Sequence, residues 1–141
     1  MEWRNELGQL HRVDGPAIEW ANGTQEWYIN DQLHRVDGPA VIHEDGYQAW
    51  YLNGQLHRTD GPTRIWADGS QEWYLNGQWH RDGGPAIIWK DGHQAWYLNG
   101  HSHRVDGPAR IWADGRTEWW VNGQEMTQFE HWVLTGAKEV V

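Results

Sequence analysis

The chain of 141 residues contains no cysteine and only one phenylalanine. Without thiols there is no disulfide framework, no thiolate nucleophile and no thiolate-bound metal. No apolar run approaches the roughly 18 residues that a membrane-crossing helix needs. The opening residues Met1-Glu2-Trp3-Arg4-Asn5-Glu6 carry no apolar targeting core. The expectation is a cytoplasmic protein. Basic residues are also scarce, 11 against 20 acidic ones, for a formal net charge of −9. Phosphate backbones and anionic lipid surfaces both call for clustered Lys and Arg. Nucleic acid and membrane are therefore not expected as partners.

What is abundant is tryptophan, 13 residues, and glycine, 17 residues. Both recur on a fixed period. His-Arg stands at 11-12, 34-35, 57-58, 80-81 and 103-104, a step of 23 residues each time. Gly-Pro follows in register at 15-16, 38-39, 61-62, 84-85 and 107-108. Five units, 10–32, 33–55, 56–78, 79–101 and 102–124, run without insertion or deletion. Residues 2–9 read as the tail of one further unit, and 125–141 break the pattern. A period of this length marks one domain of stacked supersecondary units.

Each unit carries two turn dipeptides. One is Asp-Gly (Asn22-Gly23 in the first unit), and the other is Asn-Gly, with Asn30-Asp31 as the single departure. Both supply the positive φ angles of a two-residue type I′ hairpin turn. Runs such as Ile87-Ile88-Trp89 and Trp96-Tyr97-Leu98 between them favour strands. The fold expected is all-β: an elongated antiparallel sheet of consecutive 23-residue β-hairpins, about ten or eleven strands in all. Two-residue turns place Trp20 opposite Gln25 and Ile18 opposite Trp27, then Tyr28 opposite Leu33. That register puts two tryptophan ladders on one face: Trp20, Trp66, Trp89, Trp112 and Trp27, Trp50, Trp73, Trp96, Trp119.

The tail reads as a short capping helix over about 128–135. Thr127 and Glu130 form a capping box, and Gly136 is placed to stop the helix. Phe129, Trp132 and Val133 recur at helical spacing and are expected to face the last hairpin.

Within a unit, Trp73-Tyr74, Asn76-Gly77, His80, Gly84 and Asp91-Gly92 follow one another in an order that resembles the MORN repeat. In place of that family's compact His-Gly-x-Gly stands His-Arg-x-Asp-Gly-Pro-Ala. This is similar to the divergent MORN-like form of bacterial, phage and giant-virus proteins, antitoxin-like ones included. The resemblance spans residues 2–124. It implies a hairpin array closed by a helix, a role as an interaction scaffold, and no shared catalytic residues.

Five His-Arg pairs are the obvious candidates for chemistry. Equivalent residues of neighbouring units lie roughly 9–10 Å apart, too far to share a metal ion with bonds of ~2 Å. His101-Ser102-His103 is the one local pair and has no carboxylate beside it, so no metal is expected. Arg-x-Asp before Gly-Pro reads as structural: the Asp starts a turn, and the Arg ties the loop or stacks on a Trp. In the fourth unit the acid sits one position early, at Asp82.

The tryptophans serve either as core or as a binding surface. Arg64 and Arg110 favour the surface, because they stand where other units have Ile18, Val41 and Ile87. Trp and Arg together mark binding hot spots. The candidate binding residues are therefore Trp66, Trp73, Trp89, Trp96, Arg64 and Arg110. The positions after the Asp-Gly turn, Thr24, Tyr47, Ser70, His93 and Arg116, vary most on the fixed frame. No nucleophile–base pair or phosphate-cradling loop stands apart from the repeat. The expectation is a non-catalytic module without a cofactor that binds another protein and inhibits or scaffolds it. The alternative is a small-molecule ligand, a nucleotide or sugar, held in a Trp/Arg-lined groove.

Overall fold

The computed structural model describes residues 1–136, so of the segment 125–141 the last five residues lie outside the described part. The Asn-Gly turns form as expected. Both central residues have positive φ, 49° and 79° at Asn53-Gly54, and Tyr28 pairs with Leu33 in the first unit. Asp31 takes the glycine position of that first turn at φ 65°. Its carboxylate accepts the Leu10 N–H at 2.6 Å, which offsets the cost of a side chain in the left-handed region.

The Asp-Gly turns differ from expectation. Only the glycine has positive φ, 94° at Gly23, and the N–H of Trp20 donates to the carbonyl of Thr24 at 2.9 Å. The loop is therefore three residues long, a tight turn closed by a left-handed glycine. The first residue of the dipeptide, Asn22, accepts the Thr24 N–H on its side chain, and Asp45, Asp68, Asp91 and Asp114 each accept the N–H two residues on in their units. One extra loop residue moves the register by one, so Ile18 pairs with Glu26 rather than Trp27. Because strand side chains alternate, such a slip sends a whole strand's side chains to the opposite face.

Eleven strands form the main sheet among the described residues, all antiparallel and in chain order. Each unit contributes two of them, Arg64–Ile65 and Gln71–Glu72 in the third. The chain then leaves the sheet for a small hairpin of its own, Tyr74–Leu75 against Gln78–Trp79. Units one, two and four repeat this. In the fifth the two hairpins merge, and Thr117–Val121 pairs with both Arg110–Ile111 and Gln124–Met126. A tryptophan stands at each departure: Trp73 donates its N–H to the Ala86 carbonyl and accepts from the His80 N–H.

The residue after Gly-Pro is fully buried in every unit: Ala17, Ala40, Thr63, Ala86 and Ala109. These small side chains let backbones of successive units meet. The His-Arg pairs then hold the frame. The guanidinium of Arg58 lies 3.8 Å from the Trp50 ring, donates to the Pro62 carbonyl and pairs with Asp60 at 2.9 Å. Arg12, Arg35, Arg81 and Arg104 stack in the same way on Trp3, Trp27, Trp73 and Trp96. Arg81 keeps its bond to Pro85, while the displaced Asp82 lies near His80 instead. Each histidine accepts, through Nδ1, the N–H of the asparagine 19 residues on, His57 from Asn76 for example.

The helix runs Gln128–Thr135, with the Thr127–Glu130 capping box and Gly136 in the left-handed conformation at its end. Its buried face is not the one the apolar spacing indicated. Phe129 and Val133 are 71% and 70% exposed and Trp132 is half-buried, whereas His131 is fully buried. The physical reason lies in the repeat. Trp119 is the last tryptophan of its ladder, and the stacking arginine of a sixth unit would fall at residue 127, which is Thr127. His131 supplies the missing partner, with its ring 4.8 Å from Trp119 and its Nε2 bonded to the Arg104 carbonyl at 2.7 Å.

Candidate functional site: an aromatic row with an open slot

The three-residue loops bring one of the tryptophan ladders and the variable position after each loop into one line across the sheet. In spatial order these are Trp20, Thr24, His43, Tyr47, Trp66, Ser70, Trp89, His93, Trp112 and Arg116, as successive antiparallel strands alternate. Neighbouring rings touch wherever both are aromatic. Tyr47 lies 4.8 Å from His43 and 4.8 Å from Trp66. His93 lies 4.7 Å from Trp89 and 4.5 Å from Trp112. Only tilted contacts occur, the geometry that the ring quadrupole favours over face-to-face stacking. The indoles remain partly in solvent: Trp20, Trp66 and Trp89 are 52%, 39% and 43% exposed.

Between Trp66 and Trp89 the row is interrupted by Ser70. A groove of about 790 Å³ opens there, lined by these two indoles with Asp68, Glu72, Lys90 and Asp91 among its walls. Glu72 forms the floor. Its carboxylate accepts the Trp66 Nε1–H at 3.3 Å and lies 3.7 Å from Arg64. Beside it, burial and the Glu72 charge push the Tyr74 hydroxyl up to about 12, so it remains protonated.

The six residues singled out from the sequence do not share this site. Trp66 and Trp89 stand on it. Trp73 and Trp96 belong to the other ladder, each covered by a guanidinium 3.9 Å away, Arg81 and Arg104 respectively. The one-residue register change separates the two sets, since Glu72 now shares the side of Trp66 and the next residue, Trp73, takes the opposite one. Arg64 is on the row's side but pairs with Glu72. Arg110 is bonded to Glu118, to the Tyr97 hydroxyl and to Ser102, beneath Trp120. The sequence did not single out Glu72, which becomes the arginine's partner only through the three-residue loop. Ser70, Tyr47 and His93 carried a signal, as variable residues at one position of a constant frame.

His93 is enclosed between two indoles, and burial pushes its pKa below the ordinary 6.5, with Asp91, Arg110 and Glu118 as lesser influences. The unfolded chain then takes up this proton before the folded one does, so the contribution costs stability as pH falls below about 6.5. His93→Tyr, the residue of position 47, removes it. Between about pH 7 and about pH 5 the variant should lose less thermal stability than the parent. Parallel melting-temperature profiles would show that His93 titrates as it does in the unfolded chain.

No group of three or more His, Cys, Asp or Glu side chains among the described residues could hold a metal ion. His103 is engaged by Asn122, and the neighbouring His101 is exposed. No helix among the described residues is long and apolar enough to cross a membrane. Compared with known proteins, the chain matches no family model and no curated protein.

Proposed function

We propose that the protein is a non-catalytic binding module of the MORN-like kind that seats another protein across the aromatic row, and blocks or scaffolds it. The observation that carries this reading is a line of half-exposed indoles already held in place. Trp66 is fixed by Glu72 and Tyr47, Trp89 by His93, and Trp112 by Glu118 and His93. Anchors that are ordered before contact lose little side-chain freedom on binding. Large aromatic side chains are also the ones that dominate interface energies. The groove at Ser70 is open to solvent, whereas a small-molecule site encloses most of its ligand.

Affinity isolation from source cells, run with the parent chain and with a Trp66→Ala/Trp89→Ala variant of unchanged fold, tests the reading. A protein retained by the parent and lost from the variant is expected, since two such anchors together are worth upwards of about 2 kcal/mol. Identical retained proteins from both would move the binding surface elsewhere. A small molecule, not a protein, lost from the variant would favour a nucleotide or sugar ligand.

A further inference from the structure

The residue after each Asp-Gly loop decides what stands between the ring positions of adjacent units. Tyr47 fills that place between His43 and Trp66, and His93 fills it between Trp89 and Trp112. Ser70 leaves it open, because its hydroxyl is short and already accepts the Lys90 N–H at 2.9 Å. The repeat fixes the width. One flat ring fits between Trp89 and Trp112 at centroid distances of 4.7 and 4.5 Å, and the slot over Ser70 is bounded by the equivalent positions one unit earlier. It has room for one planar group.

The fifth unit indicates which planar group. Arg116 occupies the position of Ser70, two units on. Its guanidinium lies 5.3 Å from the Trp112 ring and 2.8 Å from the carboxylate of Asp114, the equivalent of Asp68. In the third unit the indole and the carboxylate are both present and the arginine is missing. Asp68 and Asp91 stand on the rims, Glu72 on the floor, and the whole chain carries −9. Two cations are near: Arg64 pairs with Glu72, and Lys90 stands in the groove wall.

We propose that the slot between Trp66 and Trp89 receives one arginine side chain of a protein partner, its guanidinium plane between the two indoles and its N–H groups donating to Asp68. This rests on the aromatic row being a protein-docking surface and supplies the chemistry of the contact. Arginine is favoured over lysine because a planar, weakly hydrated cation can use both indole faces at once. An uncharged planar group would leave the charge of the rim carboxylates unmet, since Asp68 and Asp91 accept only the Ser70 and His93 N–H groups of their own loops.

The full chain, with its indole nitrogens labelled for NMR, is titrated with end-blocked Gly-Arg-Gly, Gly-Lys-Gly and Gly-citrulline-Gly peptides and with free arginine. The arginine peptide should shift the Trp66 and Trp89 Nε1–H resonances saturably. The lysine and citrulline peptides should need at least about tenfold higher concentrations. Ser70→Tyr and Ser70→His place in the slot the residues that positions 47 and 93 already accommodate. Both should fold and lose the response. Lys90→Ala, the residue at positions 67 and 113, takes a competing positive charge out of the groove wall and should strengthen binding about two- to threefold.

Equal binding of the citrulline peptide, or an undiminished response in folded Ser70→Tyr or Ser70→His, overturns the proposal. So does tenfold tighter binding of free arginine than of the blocked peptide. The titration needs no natural partner, which separates the two failures. A silent titration beside a protein lost from the Trp66→Ala/Trp89→Ala variant sinks the slot and keeps the docking surface. A peptide response with no protein held by the row sinks the docking surface, and with it the protein source of the arginine.

Discussion

Replacing Arg64 by isoleucine should destabilise the protein by about 2–3 kcal/mol, even though isoleucine is what the fourth unit carries at this position. Glu72 is only 7% exposed, and Arg64 is the cation beside it. Removing the guanidinium leaves a buried carboxylate with the Trp66 indole as its remaining partner. The units solve this position in three ways. Arg64 faces Glu72 and Arg110 faces Glu118, while Val41 faces Ala49 and Ile87 faces Ala95. Ile18 faces Glu26 in the first unit, where the carboxylate is half-exposed and accepts from the Tyr28 hydroxyl.

Arg64→Ile/Glu72→Ala rebuilds in the third unit the apolar pair of the fourth. It should return to within about 1 kcal/mol of the parent, because a buried ion pair is often replaced at little cost when both charges leave together. Urea denaturation followed by tryptophan fluorescence reads all three chains. A double variant as unstable as Arg64→Ile alone would show that the arginine is needed for its packing, not for its charge.

His131→Ala is the second large effect, an expected loss of about 2–4 kcal/mol. The substitution removes a fully buried ring, leaves the Arg104 carbonyl without its donor and uncovers Trp119. Phe129→Ala, two residues away, should change stability by less than about 0.5 kcal/mol, because its side chain is 71% exposed. Calorimetric melting temperatures decide it. A larger loss at Phe129 than at His131 would mean that the helix docks through its apolar side after all.

Much of this architecture was legible from residue spacing. The type I′ turns follow from Asn-Gly, because few other residues tolerate the required φ. The helix bounds follow from Thr127, Glu130 and Gly136, because caps are local chemistry. The structural use of the His-Arg motif followed from its presence in every unit. The Asp-Gly loops were not legible in the same way. Both a two-residue and a three-residue hairpin accept Asp-Gly, and the choice depends on how the flanking strands pair with units before and after.

That choice decided the candidate site. With two-residue loops, Trp66 and Trp73 would share a face with Arg64. The three-residue loop sends Trp73 away under Arg81 and brings Glu72 beneath Trp66. The helix shows the same limit: apolar spacing identifies a face that could be buried, but only the empty stacking place over Trp119 selects His131 as the side chain that is.

The sequence by itself determined the period, the antiparallel hairpins, the residues that could take positive φ and the start and stop of the helix. Each of these depends on backbone sterics or hydrogen bonds within a few residues. Tertiary structure decided which tryptophans share a surface, which charges are paired, and that Ser70 is a gap in a stack rather than one more loop residue. Those outcomes depend on register, and register is set by the pairing of strands from different units, where a single residue's slip exchanges the two faces of the sheet.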